Sequence, residues 1–394
     1  MPRTRFYRSH PRAAFGVFIL ILVLTVDVAG SNMAKALARW RLRQHDHEME
    51  YRVRSETLHH DLKPTVSFPR TAWGNVLYPM ATNSLGFKDA SPREIPLVPK
   101  GRRLLLLGDS FTEGVGVAHE KTFAGRIEAA LAPEGTEVLN AGVATYSPSI
   151  YFAKARLLLE DVGLKFDELA VFIDISDIIN EAMNYDLDGI RVIEAKETTK
   201  QNGLWEEDFG RRLKRQRPFY RKIERMLARD TMLTFRLVKG VHDILWGRTL
   251  EDDFADALNQ RGALWTTDEE FLRQYGEIGL NQGREAMDRL AELCRARKVR
   301  LLVAVYPWPD QIFRNDRDSL QVRFWGDWAR TNQVEFLDLF PAFLPEPHTE
   351  ARVREVLASR FIPGDVHWNE AGHQTVAEAF LTWYRQPRQG RPGS

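Results

Sequence analysis

The feature that most constrains the fold is a run of four leucines, Leu104–Leu107, that leads directly into Gly108-Asp109-Ser110. A short, continuous apolar run that ends at glycine is typical of a strand buried on both faces, as in parallel sheets covered by helices. The carboxyl end of such a strand lies at the edge where open α/β sheets place their sites. The sequence therefore predicts an α/β fold with Ser110 at that edge.

The rest of the chain alternates between apolar strands and amphipathic helices. The predicted strands span 103–107, 137–139, 169–173, 300–306 and 334–339, and the predicted helices span 122–131, 149–159, 283–297 and 372–384. This order predicts a three-layer α/β/α domain of flavodoxin-like kind, with a parallel sheet and helices on both faces. The domain spans residues 101–385, and the alternation stops between about 185 and 280, where we expect a helical insertion.

Composition limits the classes of function. The 394 residues have 44% hydrophobic and 28% charged residues and a net charge of +1, so no global positive field favours nucleic acid. Cys294 is the only cysteine, which excludes an intramolecular disulfide and a cysteine-rich zinc site. We expect no cofactor, no metal and no nucleic-acid partner.

The amino-terminal segment begins with basic residues, continues with apolar residues and ends with small residues. Residues 1–12 carry four arginines and no acid, and residues 13–30 are apolar except for Asp27. This order fits a transmembrane signal anchor or a cleaved signal peptide, and the absence of an Ala-x-Ala site favours the anchor. We expect a single-pass inner-membrane protein with a cytoplasmic basic tail and a periplasmic domain, since basic flanks stay inside.

Three further segments have compositions of their own. Residues 31–100 are expected to form a charged helical stalk, to about residue 62, and a loop-rich lead-in over 51–89. The insertion carries a basic run at 211–217, which fits a solvated helical cap over the site or an amphipathic helix on anionic lipid. The tail, 386–394, is expected to be disordered.

A second polar motif stands near the other end of the domain. In Gly364-Asp365-Val366-His367-Trp368-Asn369, His367 can accept the proton of a serine and Asp365 can orient the imidazole. Asn369 is a suitable cap for the last helix. Ser110, His367 and Asp365 are therefore the candidate nucleophile, base and orienting acid, and the Ser110 amide is a candidate oxyanion donor.

These motifs and their order resemble the SGNH hydrolase superfamily, also called GDSL esterases. The segment Asn83-Ser84-Leu85-Gly86-Phe87-Lys88-Asp89 is similar to exported bacterial members. The resemblance implies acyl transfer through an acyl-serine on Ser110. The spacing of Asp365 and His367, two instead of three, is similar to alginate-type polysaccharide O-acetyltransferases and also to many exported SGNH proteins.

The second and third motif blocks of the family match this sequence less closely than the first and the last. The oxyanion glycine of the second block falls near Thr145 by one alignment and at Gly142 by another. The asparagine of the third block is replaced by Ser176, whose hydroxyl has a shorter reach than an amide. Loss of one oxyanion donor costs roughly 3 kcal/mol of transition-state stabilisation, which puts full esterase strength in doubt.

Several polar residues have simpler interpretations. Asp109 is expected to order the turn, and Asp174 and Asp177 to be hydrogen-bonded loop residues, not metal ligands. The pair His59-His60 mimics a metal site, but adjacent side chains are expected to diverge. His373 is expected to be structural.

The sequence leaves three functions open. The first is a serine esterase acting on small or carbohydrate O-acyl esters of the cell envelope. The alternatives are a polysaccharide O-acetyltransferase with the same triad and a non-catalytic envelope carbohydrate-binding module.

Overall fold

The computed structural model describes residues 10–189, 191–194, 227, 230–246, 249–258 and 260–387. The chain divides into two units. One combines residues 1–45 with 201–249, and the other combines residues 46–200 with 250–394. The second unit contains the predicted motifs.

Twelve strands occur in the described part of the chain. They are β1 (Arg52–Ser55), β2 (His59–Leu62), β3 (Ser67–Trp73), β4 (Val76–Thr82), β5 (Lys88–Asp89), β6 (Arg102–Gly108), β7 (Thr136–Asn140), β8 (Glu168–Ile173), β9 (Tyr185–Asp188), β10 (Arg191–Glu194), β11 (Arg300–Val305) and β12 (Glu335–Asp338). Eight of them form one sheet in the order β12-β11-β8-β6-β7-β5-β4-β3. The strands β1 and β2 form one hairpin, and β9 and β10 form another.

The described helices alternate with these strands. They are α1 (Pro11–Arg43), α2 (Glu48–Tyr51), α3 (Ser110–Glu113), α4 (Phe123–Leu131), α5 (Pro148–Arg156), α6 (Asp177–Met183), α7 (Met232–Trp246), α8 (Leu250–Asp253), α9 (Glu269–Phe271), α10 (Glu277–Arg297), α11 (Pro309–Arg314), α12 (Leu320–Asn332), α13 (Phe340–Phe343), α14 (Glu350–Arg360) and α15 (Glu370–Tyr384). Helices α4 and α15 pack on each other, and α5, α6 and α10 pack together.

The parallel part of the sheet confirms the predicted fold class. Numbered along the chain, its five strands β6, β7, β8, β11 and β12 have the order 2-1-3-4-5, which is the flavodoxin-like order. The run Leu104–Leu107 is fully buried at its centre, as a strand covered on both faces requires. The order reverses between β6 and β8, so the switch point lies beside Ser110.

The lead-in differs from the prediction. Residues 67–89 are not mainly loops, because β3, β4 and β5 extend the parallel sheet with three antiparallel strands. Residues 52–62 are not helical, because β1 and β2 pair from Arg52 to Leu62. Tyr51, Leu62 and Met80 are buried, and residues 46–200 belong to the second compact unit, so this segment is part of the folded domain and not a stalk.

Where it is described, the predicted insertion is mainly helical apart from the β9–β10 hairpin at its start. Its helices are α7, α8, α9 and the first turn of α10. The basic run at 211–217 lies outside the described residues, as do residues 388–394 of the predicted tail and residues 1–9.

Helix α1 is 33 residues long and contains the apolar amino-terminal run. By length and composition it is the one helix in the described part of the chain that can cross a membrane. Its one acidic residue within the run, Asp27, has a clear partner. The carboxylate of Asp27 accepts hydrogen bonds from the amides of Leu233 and Thr234 at 3.0 and 2.7 Å, so it caps the first turn of α7.

The cap predicts a local change in amide exchange. In Asp27→Ala, the amides of Leu233 and Thr234 are expected to exchange faster, by about fivefold for a cap worth about 1 kcal/mol. Asp27→Asn retains a capping oxygen and is expected to exchange like the wild type. Thr25→Ala, which removes a hydroxyl bonded only to Ile21 on the same helix, is the matched control. Unchanged exchange in Asp27→Ala would contradict the cap.

Candidate active site

The turn after β6 fixes the position of Ser110. A Cβ at Gly108 would lie 2.9 Å from the carbonyl oxygen of Phe172 and closer still to Thr112, so only glycine fits. Asp109 then caps α3, since its Oδ1 accepts the Phe111 amide at 2.9 Å. Ser110 is the first residue of α3 and is 8% exposed. The expected turn-ordering role of Asp109 is confirmed.

Ser110, His367 and Asp365 lie in one hydrogen-bonded chain. The Oγ of Ser110 is 2.8 Å from Nε2 of His367, and Nδ1 of His367 is 2.6 Å from Oδ1 of Asp365. With the ring proton on Nδ1 donated to Asp365, Nε2 is free to accept the Ser110 hydroxyl. The same Oγ lies 3.2 Å from Oδ2 of Asp109, a longer contact, so the single hydroxyl proton favours His367.

The charge of Asp365 is set by its surroundings. Burial alone raises the pKa of this carboxyl, but the hydrogen bonds and the charge of His367 outweigh burial and lower the pKa to about 2. The carboxylate is therefore ionised at neutral pH. It can hold the Nδ1 proton and stabilise an imidazolium.

The loop that carries Asp365 and His367 is fixed by the helix that follows. The side chain of Asn369 accepts the amides of Ala371 and Gly372 at 2.9 and 3.1 Å and caps α15, as the sequence predicts. Its Nδ2 donates to the carbonyls of Ser359 and Phe361. His373, one turn into α15, is buried and accepts the Phe123 amide, which is a structural role.

Two aromatic side chains flank the His367 ring. Phe111 lies 4.7 Å from it between ring centroids, and Trp73 meets it edge-on at 5.2 Å. The indole Nε1 of Trp73 also donates to Oδ2 of Asp365 at 3.0 Å. The motif analysis did not identify Trp73, because the residue lies in the lead-in, far from Asp365 in the sequence.

Two predicted oxyanion donors are used elsewhere. The amide and the hydroxyl of Ser176 both donate to Oδ1 of Asp174, at 2.7 and 2.5 Å. The amide of Gly142 donates to Oδ1 of Asn140 at 3.1 Å. A Cβ at Gly142 would lie 2.7 Å from Thr112, so this glycine serves a close contact with α3. In this structure the donors of Ser176 and Gly142 are therefore engaged in contacts within the protein.

Thr145, one of the two predicted positions for the oxyanion glycine, has an unusual backbone conformation. Its φ is +66°, a left-handed conformation that a β-branched residue rarely adopts. Within the described residues, no hydrogen bond involves the amide of Thr145 or the amide of Ser110. These two N–H groups are therefore among the donors available next to the Ser110 turn and the second motif block.

A buried ion pair braces the loop that carries Thr145. Glu113, which is fully buried, accepts two guanidinium hydrogen bonds from Arg52 at 2.8 and 2.9 Å. The same carboxylate accepts the Ala144 amide at 2.8 Å. Burial opposes the charge of Arg52, but Glu113 more than compensates and raises the pKa of the guanidinium above its ordinary value. The lead-in thus holds the loop next to Thr145.

The histidine pair contacts the same loop. Nε2 of His60 lies 2.9 Å from the Ala144 carbonyl oxygen, to which it can donate. The expectation that His59 and His60 diverge is wrong, because their Nδ1 atoms are 3.0 Å apart. The reason is the left-handed backbone of His59, with φ at +67°, which turns its ring back toward its neighbour.

Three buried carboxylates lie close to Ser110. Oxygens of Asp109, Asp174 and Asp177 lie within 4.8 Å of one another, the one such group among the described residues that could hold a metal ion. Each accepts a hydrogen bond from an aromatic side chain: Tyr306 to Asp109, Trp308 to Asp174 and Tyr151 to Asp177. Burial and the neighbouring acids raise the pKa of Asp109 and Asp177 well above the ordinary range.

A cavity of about 190 Å³ borders the loop of Asp365. Its lining is mainly apolar and includes Phe254, Ala257, Leu357 and Ile362. Residues near the end of the insertion and residues of the loop between Phe361 and Trp368 thus line one small cavity next to Asp365.

No protein-family model matches the chain, and no curated protein sequence does either. An acetylxylan esterase from Geobacillus stearothermophilus has a similar structure, with 14% identity, 74% of this chain and 98% of that chain covered, and a TM-score of 0.37. A putative G-D-S-L family lipolytic protein from Desulfitobacterium hafniense has 10% identity, 71% and 99% coverage and a TM-score of 0.36.

An α/β hydrolase enzyme from the metagenome of Lake Arreo, Spain, has 16% identity, 73% and 96% coverage and a TM-score of 0.34. These proteins include an esterase and a G-D-S-L family protein. At these identities and TM-scores the similarity carries no argument about this chain.

The Arg52–Glu113 pair predicts a large loss of stability when it is broken. Arg52→Met leaves the Glu113 carboxylate buried and without its cation, which is expected to lower the free energy of unfolding by about 3–5 kcal/mol. Urea unfolding of the detergent-solubilised full chain measures this change. The double variant Arg52→Met/Glu113→Gln is expected to recover part of the loss.

Lys121→Met is the matched control, because Lys121 pairs with Glu370 at the surface. Its expected cost is below about 1 kcal/mol. If Arg52→Met costs no more than this control, the brace does not contribute as described.

Proposed function

We propose that this chain is a membrane-anchored serine esterase of the SGNH/GDSL type that acts on small or carbohydrate O-acyl esters in the cell envelope. The observation that carries the proposal is the chain of hydrogen bonds from Ser110 through His367 to Asp365, with lengths of 2.8 and 2.6 Å. Helix α1, which is long and apolar enough to span a membrane, supports the anchor. The periplasmic orientation follows from the basic flank.

The proposed reaction has two halves, the formation and the hydrolysis of an acyl-serine, and the same three residues act in both. Ser110 Oγ attacks the ester carbonyl carbon while Nε2 of His367 takes the hydroxyl proton. The ionised Asp365 stabilises the imidazolium, which then protonates the departing alcohol and leaves an acyl-serine. Water attacks that ester while His367 takes a water proton. The imidazolium then returns this proton to the Ser110 Oγ as its bond to the acyl carbon breaks, and the carboxylic acid leaves.

The negative oxygen of each tetrahedral intermediate needs donors. The amides of Ser110 and Thr145 are the groups we assign, because neither has a protein partner in the described part of the chain. Ser176 and Gly142 do not contribute, since their donors are bonded to Asp174 and Asn140. A site with one donor fewer is expected to turn over esters slowly, by about 10²–10³-fold for each missing donor.

A fluorophosphonate probe tests the nucleophile. The wild-type chain is expected to be labelled at Ser110, and Ser110→Ala is expected to show no labelling, because the phosphonate forms a bond only with an activated hydroxyl. Ser91→Ala, which alters an exposed serine of the lead-in, is the matched control and should label like the wild type. A well-folded wild type that resists the probe would overturn the proposal.

The acyl acceptor separates the proposal from O-acetyl transfer, the alternative reaction that uses the same triad and that the sequence does not distinguish from hydrolysis. The experiment supplies an acetyl ester with candidate glycans and follows both products. The esterase proposal expects free acetate in proportion to ester consumed. Acetylated glycan in place of acetate would assign the transferase.

A further inference from the structure

We propose that Trp73 is a positioning residue for the triad. Its indole N–H holds the Asp365 carboxylate so that the carboxylate faces His367. The inference rests on the proposed function and deepens it. It assigns a role in the reaction to the lead-in, outside the parallel sheet that carries Ser110. The role concerns orientation, because in the described part of the chain the indole N–H of Trp73 bonds to Asp365 and not to Ser110.

The carboxylate of Asp365 is divided between two partners. Its Oδ1 accepts both the Nδ1 proton and the backbone amide of His367, at 2.6 and 3.2 Å. Its Oδ2 accepts the indole N–H of Trp73 at 3.0 Å. In the described part of the chain, Trp73 is the one donor to Oδ2, so the rotation of the carboxylate about its Cβ–Cγ bond is fixed by this contact.

The indole also restricts the imidazole directly. The rings of Trp73 and His367 meet at 5.2 Å with an interplanar angle of 85°, an edge-to-face arrangement. On the other side, Phe111 lies 4.7 Å from the same imidazole. The two aromatic rings leave His367 a narrow range of orientations, in which Nδ1 faces Asp365 and Nε2 faces Ser110.

The position of Trp73 is set by its strand. It is the last residue of β3 and pairs with Val76 across the turn at Gly74, whose φ is +54°. A Cβ at Gly116 would lie 2.9 Å from Ile362 and 3.7 Å from the indole, so Gly116 lets these side chains approach the Asp365 loop. The β3–β4 hairpin therefore places the neutral indole N–H of Trp73 next to Asp365. Because this donor carries no charge, the Asp365 carboxylate keeps its negative charge.

Trp73→Phe tests the inference because it keeps an aromatic ring and removes the N–H. Turnover of 4-nitrophenyl acetate is expected to fall about tenfold in kcat with little change in KM, the effect of one lost hydrogen bond to a charged group. Without Trp73 the carboxylate is free to turn away from His367, so its charge stabilises the protonated imidazole less. The acid limb of the kcat/KM profile is therefore expected to move to lower pH.

The pH readout is specific to this contact. The other titratable groups that interact with His367 are Asp174 and His373, both buried and both unchanged in the variant. Trp328→Phe is the matched control, since it removes an indole donor to the carboxylate of Asp288 at 2.7 Å on helices α12 and α10. The control is expected to keep the kcat and the pH profile of the wild type.

The rate of fluorophosphonate labelling separates the two proposals. A wild type that is labelled and a Trp73→Phe variant with a lower rate and a shifted acid limb support the inference. Equal rates and identical acid limbs in the two labelled proteins would overturn the role of Trp73 and leave the esterase intact. A loss of kcat with an unshifted limb and a matching drop in urea stability would also overturn it. A wild type that is not labelled contradicts the proposed function itself.

Discussion

The hydrogen bond between Ser110 and His367 is the interaction on which the site depends. It joins the end of the first parallel strand to a loop 257 residues later, at 2.8 Å. Two independent constraints hold its ends. Gly108 and the Asp109 cap fix the turn at the switch point of the sheet, and Asn369 fixes the loop by capping α15. Neither end adjusts freely, which is the condition for preorganised acid–base chemistry.

The lead-in adds the contacts that the parallel core lacks. Arg52 in β1 binds Glu113 and, through it, the Ala144 amide beside Thr145. Trp73 in β3 binds Asp365 at the opposite end of the triad. The same segment extends the sheet with three antiparallel strands. A part of the chain that sequence composition presents as a connector therefore fixes both the proposed oxyanion loop and the orienting acid.

The structural features that depend on neighbouring residues in the sequence were predicted correctly. The buried run Leu104–Leu107, the Asp109 turn and the Asn369 cap each depend on neighbours within a few residues, and each is found as predicted. The strand order follows from the alternation of strands and helices and from the short connections between them. The triad itself required only that two motifs lie at the same edge of the sheet.

What could not be predicted depends on long-range packing. The indole of Trp73 meets Asp365 across 292 positions, and no local pattern marks that contact. The left-handed backbone of Thr145 and His59 contradicts residue preference, and tertiary contacts impose it. Ser176 was expected to donate to substrate because it occupies the asparagine position. Its short side chain instead reaches back to Asp174, two residues away.

The most direct test of the account is the covalent intermediate. The wild-type chain is mixed with 4-nitrophenyl acetate, quenched in acid within the first turnovers, digested and analysed by mass spectrometry. The account predicts one acetyl group on the peptide that contains Ser110, at a level that falls as the ester is exhausted. An acetyl group confined to another residue, or ester consumption with no adduct on Ser110 at any time in the first turnover, would contradict it.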